Sequence, residues 1–488
     1  MNSLLASYPG SPGDEAVDPD GRLRDGWPVL APLLDRLGLS GLAAAGTALA
    51  VERRARGVVV GGWSDGRHSV RPLPMDPVPR VLPAGEWAAV AAGVEQRHRA
   101  LNAFLADAYR AAGRRRSDPD RAPLIARAGV LPEWAVNSHP SHNADAVGMA
   151  WPGQSRVTLA ATDLVRTPEG WVAVADDLRA PWGLGFALAA RDNARSAVPE
   201  LFPDGGPRIA EPWDAVPLLR AALVAAAPPA CEGAPRIAVL SVGESDNAWF
   251  EHRLLAEALD VPVVRGGDVW TRIDGGLAVA VEGERRPVDV LYLRFDDGEL
   301  SAHRTPLGQP LKVALADAVR SGRLGLANVP GNGLADDAAT YAFVPEMIRF
   351  YLEEAPVLGS VPTWVLADDA QWAAVRGRLH ELEVRPLGGY GGAGVVHGPS
   401  RSADELAQLE AEVAVAPYRY VAQEPVEIST APALVDGALR PRPVGLRVFS
   451  VVTDSGTRAL PAPLTTVALG QRRDPRRGGG TKDTWLLG

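Results

Sequence analysis

One cysteine, Cys231, occurs among 488 residues, which excludes an intramolecular disulfide and any cysteine-built zinc cluster and fits a reducing compartment. Lysine is nearly as scarce: of 50 basic residues only Lys312 and Lys482 are lysines, a bias toward arginine that makes each retained lysine informative. An excess of positive charge is also missing. The net charge of -9 and a pI near 5.5 argue against a general binder of phosphate backbones, so nucleic acid is not an expected partner. The opening MNSLLASYPGSPGDEAVDPDG lacks a basic segment followed by an apolar run, so no secretory signal is expected and a cytoplasmic location is. The apolar window at 221–230 is too short and too proline-rich to cross a bilayer, which takes about 20 apolar residues, so no membrane span is expected.

What remains is ordinary globular usage: 46% hydrophobic and 22% charged residues, with 51 Gly and 43 Pro that imply many turns. At about 150 residues per domain the length predicts about three units. Residues 1–60 read as a cap whose Leu30, Leu33, Leu34, Leu37 and Leu39 carry a helical pattern. Trp87, Val90, Val94, Leu101, Leu105 and Tyr109 fall on one face of an amphipathic helix over 87–109. After a hydrophilic hinge at 113–121, residues 157–174 read as two strands joined by the turn Pro168-Glu169-Gly170. From Arg236 onward, strands at 237–241, 261–265, 277–281 and 288–294 with a helix at 247–259 predict an open α/β unit. Helices at 344–352 and 369–382 flank a strand at 361–366, and the last hundred residues read mostly as strand.

The run Arg385-Pro386-Leu387-Gly388-Gly389-Tyr390-Gly391-Gly392-Ala393-Gly394 lies between two strand-like segments. Glycines without Cβ atoms let backbone N–H groups crowd a phosphate. No helix opens at the third glycine and no Gly-Lys-Ser/Thr follows, so this is neither a dinucleotide fingerprint nor a Walker loop. A hairpin able to close over a triphosphate fits, and so does a plain glycine-rich turn. Asp163, Asp176 and Asp177 gather at the base of the predicted 157–174 hairpin; hard oxygen ligands there suit magnesium with phosphates, and solvated turn carboxylates suit the same residues. Lys482 follows three glycines beside Asp483, where a compact ammonium could meet a phosphate or simply solvent. Gln423 and Glu424 end a predicted strand at 418–423 and could accept from adenine and ribose, or be a polar strand end. Arg294 precedes Asp296 and Asp297 at another strand end, where an ion pair at a turn is the plain alternative. His139 and His142 lack a third zinc ligand, and no nucleophile elbow occurs. A dinucleotide-dependent oxidoreductase is disfavoured because the turn Gly243-Glu244-Ser245 lacks the glycine spacing.

In this order, the stretches RPLPMDPVPRVLPAGEW, EQRHRALNAFLADAY, ESDNAWFEHRLLAEAL, LYLRFDDGEL, RPLGGYGGAGVVHG, YVAQEPVEIS and GGGTKDTW resemble the circularly permuted type 2 ATP-grasp family, related to the synthetase domain of glutathionylspermidine synthase. The resemblance covers about residue 61 to the C-terminus. It implies a mixed α+β and α/β chain: an N-terminal extension (1–60), a first ATP-grasp portion with metal-bearing strands (61–232), a Rossmann-like pre-ATP-grasp unit (233–330) and a half with the phosphate loop (331–488). It further implies an ATP- and Mg-dependent ligase that joins small-molecule or peptide carboxylates to amines through an acyl phosphate, with a paralogue or a second copy as possible protein partner. Asp163 and Asp177 would hold magnesium; Gly388, Gly389, Gly391 and Gly392 would cradle phosphate with Arg385; Gln423 and Glu424 would meet adenosine. Arg294, Lys482 and Asp483 match family positions, the first two as catalytic candidates. The family's Glu-Asp-Asn is Ala175-Asp176-Asp177 here, its Ala-Asp-Asp-Lys is Ala335-Asp336-Asp337-Ala338, its lysine before the glycine loop is Arg385, and its Glu-Asn-Arg is Ala189-Ala190-Arg191. These losses leave a second reading open, a degenerate member serving as a binding or regulatory subunit.

Overall fold

The computed structural model describes residues 3–64, 67–114, 118, 121–137, 141–387, 394–470, 474–475 and 479–488. Its centre is an eight-stranded sheet in which Gly359–Ser360, Gly170–Asp177, Leu159–Thr167, Ala438–Thr453, Leu464–Val467 and Gly480–Lys482 lie side by side, with Thr430–Val435 and Gly456–Ala459 pairing along the long strand. The first hairpin is where the turn at 168–170 predicts it. Alternation of side chains gives this sheet two apolar faces. Leu159, Ala161, Phe449 and Val451 pack with Leu184, Phe186 and Leu188 of the helix Leu184–Ala197 and with Leu219 and Leu223 of Ala215–Ala225. Leu164, Ala173, Leu446 and Val448 pack on Val90 and Val94 of the helix Ala84–Ala112, the element read from spacings of three, four and seven.

The α/β unit has a four-stranded parallel sheet in the order Gly325–Ala327, Val290–Leu293, Ile237–Leu240, Val263–Val264, with an antiparallel three-stranded meander over 269–288. A third, antiparallel sheet runs Thr363–Val365, Tyr420–Gln423, Glu383–Pro386, Val396–His397. It is covered by helices Asp369–Val375 and Ala403–Val415. The second of these interrupts the strand-rich reading of the last hundred residues. Its start was legible: Ser402 and Glu405 form a reciprocal capping box ahead of Leu406, Leu409 and Val413.

The cap helix is longer than the leucine pattern predicts, spanning Trp27–Ala55 with a kink at Gly38 (φ 65°). Its most apolar window has a mean hydropathy of 1.3, so by length and composition it is the one described helix that could cross a membrane. Trp27, Leu30, Leu34, Leu42 and Leu49 are instead buried against Met75, Val78, Ala190, Ala194 and Trp485. Thr484–Leu486 pairs in parallel with Arg80–Leu82, tying the last strand to the region after the cap.

Two buried histidines are expected to make the fold acid-sensitive. His98 lies under the central sheet between Ser450 Oγ (2.9 Å) and the carbonyl of Val157 (3.0 Å), and burial lowers its pKa to about 4. Burial also holds His252 well below its ordinary value, with Arg294 adding to the effect. A depressed pKa stabilises the fold above the unfolded value near 6.5 and loses that stability as pH falls toward the folded value. The urea midpoint is therefore expected to drop between pH 6.5 and 4, His98 alone accounting for on the order of 3 kcal/mol. His98→Gln should flatten that slope, and an unchanged slope would show that His98 does not titrate with unfolding.

Candidate active site

Strand alternation sorts the carboxylates of the first hairpin onto opposite faces. Asp163 has Arg447 and Ala175 as cross-strand partners on either side, and Asp177 pairs with Ala161 two residues along, so these groups share one face. Asp176 points to the other. There Arg97, from the helix Ala84–Ala112, meets it at 2.7 Å with both side chains buried, and Thr162 Oγ1 donates to it at 3.1 Å. The sequence cluster of three aspartates is thus divided into a structural ion pair and a site pair.

Asp163 and Asp177 are joined by the guanidinium of Arg447. Its Nε and Nη2 donate to the two oxygens of Asp163 at 2.8 and 2.9 Å, a bidentate fork. Its Nη1 reaches Asp177 Oδ2 at 3.4 Å and the carbonyl of Trp182 at 3.1 Å, and the group lies 5.0 Å from the Trp182 ring centroid. Burial pushes the Asp177 carboxyl up, Arg447 and Arg179 oppose this, and Asp163 adds to it. Sequence reasoning did not single out Arg447. Its signal was a lone charged residue in the otherwise apolar VGLRVFS strand.

Asp336 completes this corner. Its Oδ2 accepts from Arg179 Nε (3.0 Å) and the Leu178 amide (3.2 Å), while its buried Oδ1 has no hydrogen-bond partner among the described residues. Burial raises its pKa to about 7, with Asp177 adding and Arg179 opposing. Asp337 accepts from the Ala339 amide to cap the short helix Ala338–Tyr341, and Ser141 Oγ donates to it at 3.0 Å. On the far side of this helix Ala338 packs with Val365, Val421 and Leu387 of the antiparallel sheet. Tyr341 reaches the other way, donating to the carbonyl of Ala173 in the central sheet at 2.5 Å. One segment, 335–341, therefore touches both sheets.

On the third, antiparallel sheet Arg385 Nη1 donates to Gln423 Oε1 at 2.7 Å, and Gln423 Nε2 donates to Thr363 Oγ1 at 2.9 Å, so two of the nucleotide candidates are brought together. Gly388, Gly389, Gly391 and Gly392 lie outside the described residues. Their flanks pair as the hairpin reading expects, Val384 with Val396 and Glu383 with His397. Gly394, at φ +76°, would bring a Cβ to 2.9 Å from Pro386 Cγ, so glycine fits this close return and a side chain does not. Glu424 is exposed, and its backbone amide donates to the Pro362 carbonyl.

Lys482 lies apart from both groups, whereas Arg294 stands within electrostatic reach of Asp177, where it helps oppose the upward push of burial on that carboxyl's pKa. Lys482 is buried, and its Nζ donates to Asp76 Oδ1 (2.6 Å) and to the carbonyls of Val78 (3.0 Å) and Pro432 (2.8 Å). Arg294 is buried against Glu251 (2.8 Å), the Pro181 carbonyl (2.7 Å) and Tyr292 Oη (3.0 Å). Asp483 binds Arg191 Nε at 2.8 Å. Beside Arg179 a solvent-open cavity of about 460 Å³ is walled by Asn143, Asp145, Asp296, Asp297 and Gly333.

These residues meet ATP and magnesium differently. The Arg385–Gln423 pair and the tight return at Gly394 fit a nucleotide over the third, antiparallel sheet. Magnesium does not fit: Arg447 already spans Asp163 and Asp177, Ala175 supplies no oxygen, and no cluster of three or more His, Cys, Asp or Glu able to hold a metal occurs among the described residues.

A mainly antiparallel central sheet and a smaller antiparallel sheet, both contacted by one short segment and lying beside a parallel α/β unit, define an ATP-grasp architecture. A solved glutathione synthetase-like effector (GSS30) from Globodera pallida superposes with a TM-score of 0.56 at 13% identity, covering 91% of this chain and 97% of that one. The model of the circularly permuted ATP-grasp type 2 family matches residues 79–468, and the chain belongs to that family. It is 40% identical over 489 residues to a Frankia alni protein named "Putative glutamate--cysteine ligase 2-3", a match covering 99% of this chain and 54% of that protein. The chain thus spans about half the length of such relatives. An uncharacterized Synechocystis protein is 34% identical over 496 residues, with 99% of this chain and 98% of that protein covered.

Proposed function

We propose that this chain is an ATP-dependent carboxylate–amine ligase that works through an acyl phosphate. The observation that supports it is the segment 335–341, which contacts both sheets: Asp336 accepts from the Leu178 amide next to Asp177, Tyr341 donates to the Ala173 carbonyl, and Ala338 packs against the sheet that carries Arg385 and Gln423. In this reading Gln423 and Arg385 hold the nucleotide, and Gly388, Gly389, Gly391 and Gly392 are its phosphate-binding candidates. A substrate carboxylate oxygen takes the terminal phosphoryl group as ADP leaves; the amine nitrogen then attacks the acyl carbon, phosphate departs with the C–O electron pair, and the amine loses a proton. Arg179, beside the cavity, faces the charge that develops on the acyl phosphate, which is electrostatic rather than covalent catalysis. The carboxylate-rich wall at Asp145, Asp296 and Asp297 suits a cationic amine substrate. The Frankia relative's name supports a carboxylate–amine reaction of this class.

A second reading is supported by Ala175 and Ala338: the chain is a binding or regulatory subunit for a peptide, metabolite or catalytic paralogue. AMP-PNP distinguishes them. At a concentration 100 times its dissociation constant it is expected to stabilise the native protein by about 2.7 kcal/mol in a thermal-shift assay. Arg385→Ala should abolish that shift while costing the free protein under about 1.5 kcal/mol. With ATP in place of AMP-PNP, ADP release on adding amino acids and short peptides supports the ligase, binding without turnover supports the subunit reading, and no binding at millimolar nucleotide overturns the ligase.

A further inference from the structure

We infer that the guanidinium of Arg447 stands where a divalent cation would stand between Asp163 and Asp177, so that this face of the sheet takes no metal ion. The inference deepens the nucleotide-site reading above and rests on it only for the identity of the ligand. Three strands place the row Arg447, Asp163, Ala175 across the sheet, with Asp177 adjoining. A magnesium ion needs several oxygens converging at about 2.1 Å in octahedral order. Here both oxygens of Asp163 face the Arg447 fork at 2.8 and 2.9 Å, and one of Asp177 faces Nη1 at 3.4 Å. A cation seated on these oxygens would share its ligands with a positive charge that cannot deprotonate. Arg447 is also held from outside the pair, by the Trp182 carbonyl and the Trp182 ring, so its place does not depend on the carboxylates alone. Ala175 fits this arrangement: a third carboxylate would have no cation to bind, and its methyl group leaves the neighbouring position open.

Two substitutions should reverse the arrangement. Removing the guanidinium and returning a carboxylate, in the double variant Ala175→Glu/Arg447→Ala, would leave three oxygen-bearing side chains around the vacated position. The experiment is a Mn²⁺ titration of the full chain, read by the loss of the free-ion paramagnetic signal, with no nucleotide present. The wild type is expected to bind no Mn²⁺ at this face up to millimolar concentration. The double variant is expected to bind one ion saturably, and adding Asp163→Asn to it should remove that ion. Stoichiometric binding by the wild type that Asp163→Asn abolishes overturns the inference, and so does a folded double variant that binds none. Circular dichroism establishes that the double variant is folded. If it is not, the single variant Arg447→Gln carries the test: it is expected to gain Mn²⁺ binding, and its failure to do so overturns the inference.

A parallel AMP-PNP isotherm, in EDTA and in excess Mg²⁺, separates this inference from the functional reading. The wild-type dissociation constant should change less than about threefold between the two, against about tenfold or more in a site where ion and nucleotide are coupled. A magnesium requirement in the wild type overturns the inference. Absence of nucleotide binding in both conditions overturns the ligase reading, while the Mn²⁺ titration still decides whether Arg447 fills the cation position.

Discussion

Lys482→Ala is expected to destabilise the protein by about 3–5 kcal/mol, the range for breaking one side of a buried ion pair. Its ammonium uses all three donors inside the protein, on Asp76, Val78 and Pro432. Asp76 is itself buried and also accepts from the Val78 and Leu434 amides, so removing the lysine leaves a carboxylate whose remaining partners are neutral. Burial drives the Lys482 pKa down and Asp76 opposes this most, with a smaller contribution from Glu15. The charge is what the site balances, so Asp76→Asn/Lys482→Met should recover part of the loss. Urea unfolding of the single and double variants measures both. A loss under about 1 kcal/mol for Lys482→Ala would show that the pair is not a structural tie. The pair joins residues 406 positions apart, bridging the strand Gly480–Lys482 to the segment that follows the cap, and its rupture should also expose that segment to proteolysis.

Such long separations explain what could be read from the sequence and what could not. The helix Ala84–Ala112, the hairpin at 159–177 and the strands flanking the glycine run are local, with their apolar spacing and turn residues in one window. Scarcity of lysine correctly drew attention to Lys482, but composition cannot say whether a rare ammonium faces a phosphate or an aspartate at the far end of the chain. Asp176 and Asp177 are adjacent in sequence, and only the register with Thr162 and Ala161 sends them to opposite faces. Arg447 is 284 residues from Asp163 and gains meaning only when the long strand pairs with the hairpin. Ala338, read as a missing lysine, fills an apolar contact with Val365, Val421 and Leu387, which explains why an alanine is stable there.

Glu251→Ala is expected to have an effect as large as that of Lys482→Ala, and to reach the site. Glu251 is buried beneath the turn at 181–185: Oε2 accepts from the amides of Gly183 (2.6 Å) and Gly185 (3.0 Å), and Oε1 accepts from Arg294 Nη2 (2.8 Å). Arg294 in turn donates to the Pro181 carbonyl, so one carboxylate and one guanidinium clasp this turn between the α/β unit and the central sheet. The fit is close. A Cβ at Gly185 would come within 2.8 Å of Glu251 Cγ, and Gly183 takes φ +118° against Phe449 and Leu464. Truncating Glu251 leaves Arg294 buried without its carboxylate and two amides without acceptors, a loss of about 3–5 kcal/mol. Glu251→Gln keeps one acceptor oxygen and removes the charge, so it should fall between Ala and wild type. The carbonyl of Trp182, within the same turn, is one of the groups that hold Arg447. Loosening the turn should therefore free Arg447 to leave Asp163 and Asp177, so Glu251→Gln, measured below its melting temperature, is expected to weaken AMP-PNP binding as well as stability. A variant that loses stability but keeps wild-type nucleotide affinity would confine the clasp to folding and uncouple it from the site. A parallel loss of both would place the α/β unit in control of where the Arg447 guanidinium stands.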